Sequence, residues 1–189
     1  MKTLSRNHQI VIGAVLVALM VASRGHFVPA LRSALPSASW AVFFVAGIYL
    51  RPRWVIAGLL LLAVLLDCMA IGWGNVSDYC VSVAYAALIP AYGTLWLAGR
   101  WFARSATEGT RDIALLGATA LSATAVCEVI SSGSFYYYSG RFADPTLGGF
   151  GERLVQYFPH SLASMAIWVT LAALTHAALV VNRQPRLTA

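Results

Sequence analysis

Apolar residues run along this chain in stretches too long for the surface of a soluble fold, separated by short polar or basic turns. Six such stretches stand out, at residues 8–23, 37–50, 54–70, 79–102, 112–132 and 154–181. A helix needs roughly 20 mostly apolar residues to cross a hydrocarbon core of about 30 Å, so each stretch reads as a membrane crossing. The expected fold is therefore an all-α integral membrane protein of six transmembrane helices, with residues 1–189 forming one transmembrane domain. The second stretch is the shortest. It is expected to borrow length from the Pro36-Ser37 turn, with Trp40 and Tyr49 anchoring it at headgroup level. The first stretch reads as a retained helix, because no small-x-small cleavage pattern ends it.

Composition agrees with this pattern: 59% of the 189 residues are hydrophobic and only 11% are charged. The formal charge of +6 would suggest nucleic acid in a soluble protein, but the basic residues lie in short turns between apolar runs. That placement speaks to membrane orientation, with the lipid bilayer and no nucleic acid as partner. With the N-terminus inside, Lys2, Arg6, Arg51, Arg53, Arg100, Arg104, Arg111, Arg183 and Arg186 face the cytoplasm, and only Arg24, Arg32, Arg141 and Arg153 lie outside. Lys and Arg accumulate on the cytoplasmic side, so both termini are expected there. Asp67, Asp78, Asp144 and Glu152 then fall at or near the outer surface.

The outer connections hold most of the chemistry. Residues 131–153 contain Phe135-Tyr136-Tyr137-Tyr138 and Gly148-Gly149-Phe150-Gly151, which predict a loop with aromatic surface and flexible backbone, able to cover a bulky ligand. An interfacial aromatic belt would look the same in sequence. Cys68, Cys80 and Cys127 are far apart, with no CxxC or zinc-like spacing. No Gly-rich phosphate motif is present, which argues against nucleotide hydrolysis by this chain.

Several positions could bear function. Ala14, Ala18 and Ala22 recur every four residues on one face of the first helix, where small side chains allow close helix approach, to a partner or within the fold. Cys80 follows Asn75-Val76-Ser77-Asp78-Tyr79 at the outer start of the fourth helix, where free amides favour a thiolate. Ala84, Ala87 and Ala91 continue its face and predict space for something large beside the helix; the bland alternative is a small buried cysteine. Asp67 closes the apolar run 59–66, and a carboxylate there must be paired, hydrated or turned to a cavity. Tyr85 and Tyr92 lie seven apart, and Arg153 is expected to pair with Asp67, with Glu152 or with a ligand. Glu128 reads as a proton site or a helix-to-helix hydrogen bond. His160 and His176, sixteen residues or about 24 Å apart along a helix, cannot share a metal.

The six-helix layout, the alanine face of the first helix, the elaborate outer connections and the stretch ending in Cys80, with Asp67, Tyr85 and Arg153, resemble the substrate-binding S-components of energy-coupling-factor transporters, specifically the BtuM cobalamin family. The resemblance implies an S-component-like fold in a bacterial cytoplasmic membrane that binds cobalamin from outside. It implies Cys80 as the axial thiolate ligand of cobalt, with the vitamin bound base-off and cyanide removal from cyanocobalamin as an accompanying reaction. Asp67, Tyr85 and Arg153 would hold corrin amides or orient the thiolate. Ala14, Ala18 and Ala22 would meet a transmembrane coupling subunit of an energising module whose ATPases are separate chains. Two other classes fit the residues. A membrane thiol-disulfide oxidoreductase would pair Cys68 with Cys80, and a non-catalytic assembly subunit would use every polar residue named here for packing.

Overall fold

The structure, a computed structural model, describes residues 5–24, 36–73, 82–107 and 109–181. Among these, six α-helices follow one another: α1 (Arg6–Arg24), α2 (Ser39–Tyr49), α3 (Trp54–Trp73), α4 (Leu88–Ser105), α5 (Arg111–Tyr138) and α6 (Leu147–Val181). A short 3-10 turn, Val83–Ala87, leads into α4, and Pro90 sits in the first turn of that helix, where a missing N–H does no harm.

Four helices, α1, α3, α5 and α6, are long and apolar enough to cross a membrane. Large apolar side chains such as Val15, Leu61, Leu65, Val126 and Leu174 point away from the protein, as they do when the solvent is lipid. α4 has 18 residues, but its last turns contain Arg100 and Arg104.

α2 is the exception that organises the rest. Its 11 residues rise about 16 Å at about 1.5 Å each, well short of the hydrocarbon thickness. Eight of them, from Ser39 through Gly47 apart from Trp40, are buried, because α1, α3, α4 and α6 all pack against this helix. A helix apolar all round is one enclosed on every side. The second apolar stretch of the sequence is thus a helix, three residues shorter than its pattern predicts and internal.

The tightest packing is between α2 and α4. A Cβ on Gly47 would stand 2.2 Å from the Trp96 carbonyl oxygen, and one on Gly99 would stand 2.0 Å from the Phe44 carbonyl oxygen. The two glycines let the backbones touch, which in lipid substitutes for a hydrophobic driving force between helices. Around this contact Phe43, Phe44, Met20, Leu95 and Met165 fill the core.

The two ends of the bundle differ. At one, Arg100 donates to the carbonyls of Leu50 and Arg51 at 3.3 and 3.1 Å, a cation at the C-terminus of α2, and the Gln9 side chain accepts from the Arg51 amide at 3.2 Å. Arg53 and Arg104 belong to this basic end. At the other end lie Arg24, Ser39, Asp67 and Tyr92. Trp168 of α6 ties itself to the chain before α2 by donating to the Pro36 carbonyl at 3.1 Å.

The expected loop over residues 131–153 is mostly helix. α5 runs on to Tyr138 and α6 begins at Leu147, so the aromatic run is the last turn of one helix and the Gly-rich run the first turn of the next. Packing explains the difference. A Cβ on Gly149 would meet the Tyr136 hydroxyl at 2.5 Å, and one on Gly133 the Phe150 ring at 3.3 Å, so these glycines serve close contact and not flexibility. The Thr146 hydroxyl accepts from the Gly149 amide at 3.1 Å and caps α6.

Candidate functional site

A polar network joins four helices at the end opposite the basic one. Arg24, in the last turn of α1, donates from Nε to Asp67 Oδ1 at 2.7 Å and from Nη2 to Asp67 Oδ2 at 2.6 Å. Its Nη1 donates to the Tyr92 hydroxyl at 2.8 Å and to Ser39 Oγ at 3.2 Å. The Tyr85 hydroxyl donates to Asp67 Oδ2 at 2.6 Å. Asp67 therefore accepts from three donors, and a charge that would be costly among apolar helices is paired and hydrogen-bonded.

Each element contributes for a local reason. α3 continues past Asp67 to Trp73, so the carboxylate is held on a rigid helix. Tyr92 is buried and stacks on Phe43 with centroids 4.5 Å apart, which fixes its hydroxyl under Arg24. Ser23 Oγ accepts from the Ala38 amide at 3.2 Å, joining the end of α1 to the start of α2. A phenol gives up its proton far less readily than a carboxyl, so Tyr85 is the donor of that pair at neutral pH.

Of the residues singled out in the sequence, Asp67 and Tyr85 are brought together. Arg153 is held elsewhere and does not pair with Asp67, whose oxygens are taken by Arg24 and Tyr85. Its guanidinium lies over the rings of Phe142, Tyr157 and Tyr136, at 4.8, 5.1 and 5.8 Å from their centroids. Nε of Arg153 is buried with no hydrogen-bond partner among the described residues. Cys80 and the Asn75-Val76-Ser77-Asp78-Tyr79 stretch lie outside the described residues. Ala14, Ala18 and Ala22 stand exposed on α1, while Leu16 and Met20 on its other face are buried.

One expectation is corrected. The strip Ala84, Ala87, Ala91 does not run along one α-helix, because the chain is a 3-10 turn up to Ala87; Ala84 is buried and Ala91 belongs to the packed core. Glu128, 3% exposed, accepts from the Ser132 hydroxyl one turn along its own helix; among the described residues no neighbouring helix bonds it and its Oε2 has no partner. Cys68 is exposed on α3 and Cys127 is fully buried on α5. Sequence reasoning missed Arg24 and Ser39 as site residues. The available signal was a lone arginine and a lone aspartate ending two apolar runs at what would be the same depth.

Four helices long and apolar enough to cross a membrane, three of which pack with α4 on the short buried α2, are the mark of a multi-pass helical membrane protein. No protein-family model matches the chain, and no curated protein matches it.

Proposed function

We propose that this protein captures cobalamin at the outer face of a bacterial cytoplasmic membrane and passes it to an energising module. The observation that carries the reading is the 2.6 Å hydrogen bond between Tyr85 and Asp67. Asp67 and Tyr85, to which the family resemblance gives a part in holding cobalamin, come from separate stretches and share one polar cluster, and Tyr85 follows Cys80 by five positions in the chain. On this reading the layout is that of an S-component. All six helices belong to the membrane domain, with α2 its enclosed short member, the network end faces outward, and both termini are cytoplasmic. The nine-to-four distribution of basic residues supports that orientation.

Cobalamin is here the cargo, and Cys80 supplies a thiolate to its cobalt. Sulfur is polarizable and a strong donor to a transition metal, so it replaces the nucleotide base and favours the base-off form. Donation from one face weakens a cyanide on the other. Cyanide then leaves with its electron pair and the cobalt keeps its oxidation state. The Tyr85 hydroxyl oxygen, its proton committed to Asp67, and Asp67 Oδ1, with one donor on it, present acceptors suited to the N–H groups of corrin amides, while Arg24 holds the carboxylate in place. Arg153, framed by aromatic rings, offers a buried N–H to a ligand amide.

Equilibrium titration of the purified protein with cobalamin tests the proposal. Saturable one-to-one binding, weakened severalfold by Tyr85→Phe, is expected. Absence of saturable binding by the wild-type protein would overturn it.

A further inference from the structure

α4 and α5 do not close against each other along their outer faces. Between them runs a groove of about 500 Å³, walled by Thr94, Ala98 and Trp101 from α4 and by Leu115, Ser122 and Val126 from α5. The Thr94 hydroxyl donates to the Ala91 carbonyl at 2.7 Å, and Thr119, also on the wall, donates to the Leu115 carbonyl at 2.6 Å. Those hydroxyls are engaged within their own helices, so much of the wall is apolar to anything lying in it. From Leu115 to Val126 the groove follows α5 for about 17 Å at about 1.5 Å per residue. That length and volume suit one fatty acyl chain.

The groove has distinct ends. Trp101 and Leu115 mark the one nearer the basic end of the bundle, and Trp101 is 54% exposed, as an aromatic residue at headgroup level is. One turn further along α4 and α5 stand Arg104 and Arg111, both exposed and neither with an acidic partner among the described residues. Glu108, between the two arginines in sequence, lies outside the described residues, and Asp112 accepts from the Thr107 and Gly109 amides at 2.9 and 3.3 Å and so serves the turn between the helices. Arg100, the other cation of α4, is engaged with the Leu50 and Arg51 carbonyls and lies over the Trp96 ring at 4.7 Å. An apolar groove thus opens toward two exposed guanidinium groups that meet no acid among the described residues, and guanidinium is the donor suited to a phosphate.

We infer that the α4/α5 groove is a binding site for one anionic phospholipid, whose acyl chain lies along the groove and whose phosphate is held by Arg104 and Arg111. The site is independent of the polar network at the opposite end and of what the protein transports. An anionic lipid held there fastens α4 to α5 along the groove.

The test reads Trp101 fluorescence, isolated as the difference between wild type and Trp101→Phe, in vesicles containing acyl-brominated phosphatidylglycerol or acyl-brominated phosphatidylcholine at equal mole fraction. Brominated phosphatidylglycerol should quench Trp101 at a mole fraction at least fivefold lower than brominated phosphatidylcholine. Arg104→Gln with Arg111→Gln should abolish that preference while leaving the thermal unfolding of the protein unchanged. Ser122→Leu, which narrows the groove with the arginines intact, should weaken quenching by brominated phosphatidylglycerol. Equal quenching by the two lipids in the wild type would overturn the inference, as would a preference that survives the double substitution. Protection of Trp101 from both lipids, the result expected if a partner helix or a second copy occupied the groove, would overturn it as well.

Discussion

The Arg24 guanidinium and the Asp67 carboxylate meet as a two-point fork, Nε to Oδ1 at 2.7 Å and Nη2 to Oδ2 at 2.6 Å, which locks the end of α1 to α3. The side chains are 15% and 23% exposed. Removing one partner of a buried ion pair costs about 3–5 kcal/mol, because the other charge is left without compensation. At this partial exposure Arg24→Ala and Asp67→Asn should each destabilise by about 2–3 kcal/mol, read from unfolding in detergent. The Arg24→Ala/Asp67→Ala double variant should cost at least about 1 kcal/mol less than the sum of its single substitutions. Additive costs would mean the fork is not coupled.

The α2/α4 contact makes a second prediction. Gly47→Ala or Gly99→Ala drives a methyl group into a backbone carbonyl, which no rotamer change relieves. Either should cost more than about 4 kcal/mol or prevent recovery of monodisperse protein. Gly58→Ala is the control, since nothing lies within 4 Å of its added Cβ. There the gain in helix propensity should stabilise by about 0.5–1 kcal/mol.

Tyr85→Phe removes one hydrogen bond from Asp67 and leaves the Arg24 fork intact. Stability should fall by about 1 kcal/mol. Cobalamin affinity should fall severalfold by the same titration, and equal affinity in wild type and variant would remove Tyr85 from the binding site.

Much of the helical layout is legible in the sequence, since runs of apolar residues between Arg51-Pro52-Arg53 and similar turns already locate the helices. The role of α2 is not. Its 14-residue pattern reads as a short crossing, whereas what makes it internal is the mutual fit of Gly47 and Gly99, which lie 52 positions apart and carry no local signal. The helical ends at Tyr138 and Leu147 are hidden for a similar reason. Gly148-Gly149-Phe150-Gly151 has loop propensity, and only the rings of Tyr136 and Phe150 against Gly149 and Gly133 reverse it. In the site, the cost of an unpaired Asp67 is plain from composition, but the identity of its partner depends on which helices are neighbours. Arg153 is charged and near the start of α6, yet aromatic packing places it beside Phe142 and Tyr157 instead.

The alanine face of α1 is exposed among the described residues. Leucine at Ala14 or Ala18 adds bulk where no described residue packs, so stability should stay within about 0.5 kcal/mol of wild type. If that face docks a coupling subunit, cobalamin uptake by cells should drop severalfold while binding by the purified variant is unchanged. Uptake equal to wild type would show that the face is only lipid-exposed.

A cobalt–sulfur bond from Cys80 to bound cobalamin, as proposed above, is read in the visible absorption spectrum of the purified protein with cyanocobalamin under anaerobic conditions. A hydroxyl is harder than a thiol and stays protonated at neutral pH, so Cys80→Ser should lose the cobalt–thiolate spectrum and the release of cyanide. Cys68→Ser and Cys127→Ser should keep both. A wild-type spectrum and wild-type cyanide release from the Cys80→Ser variant would contradict the account.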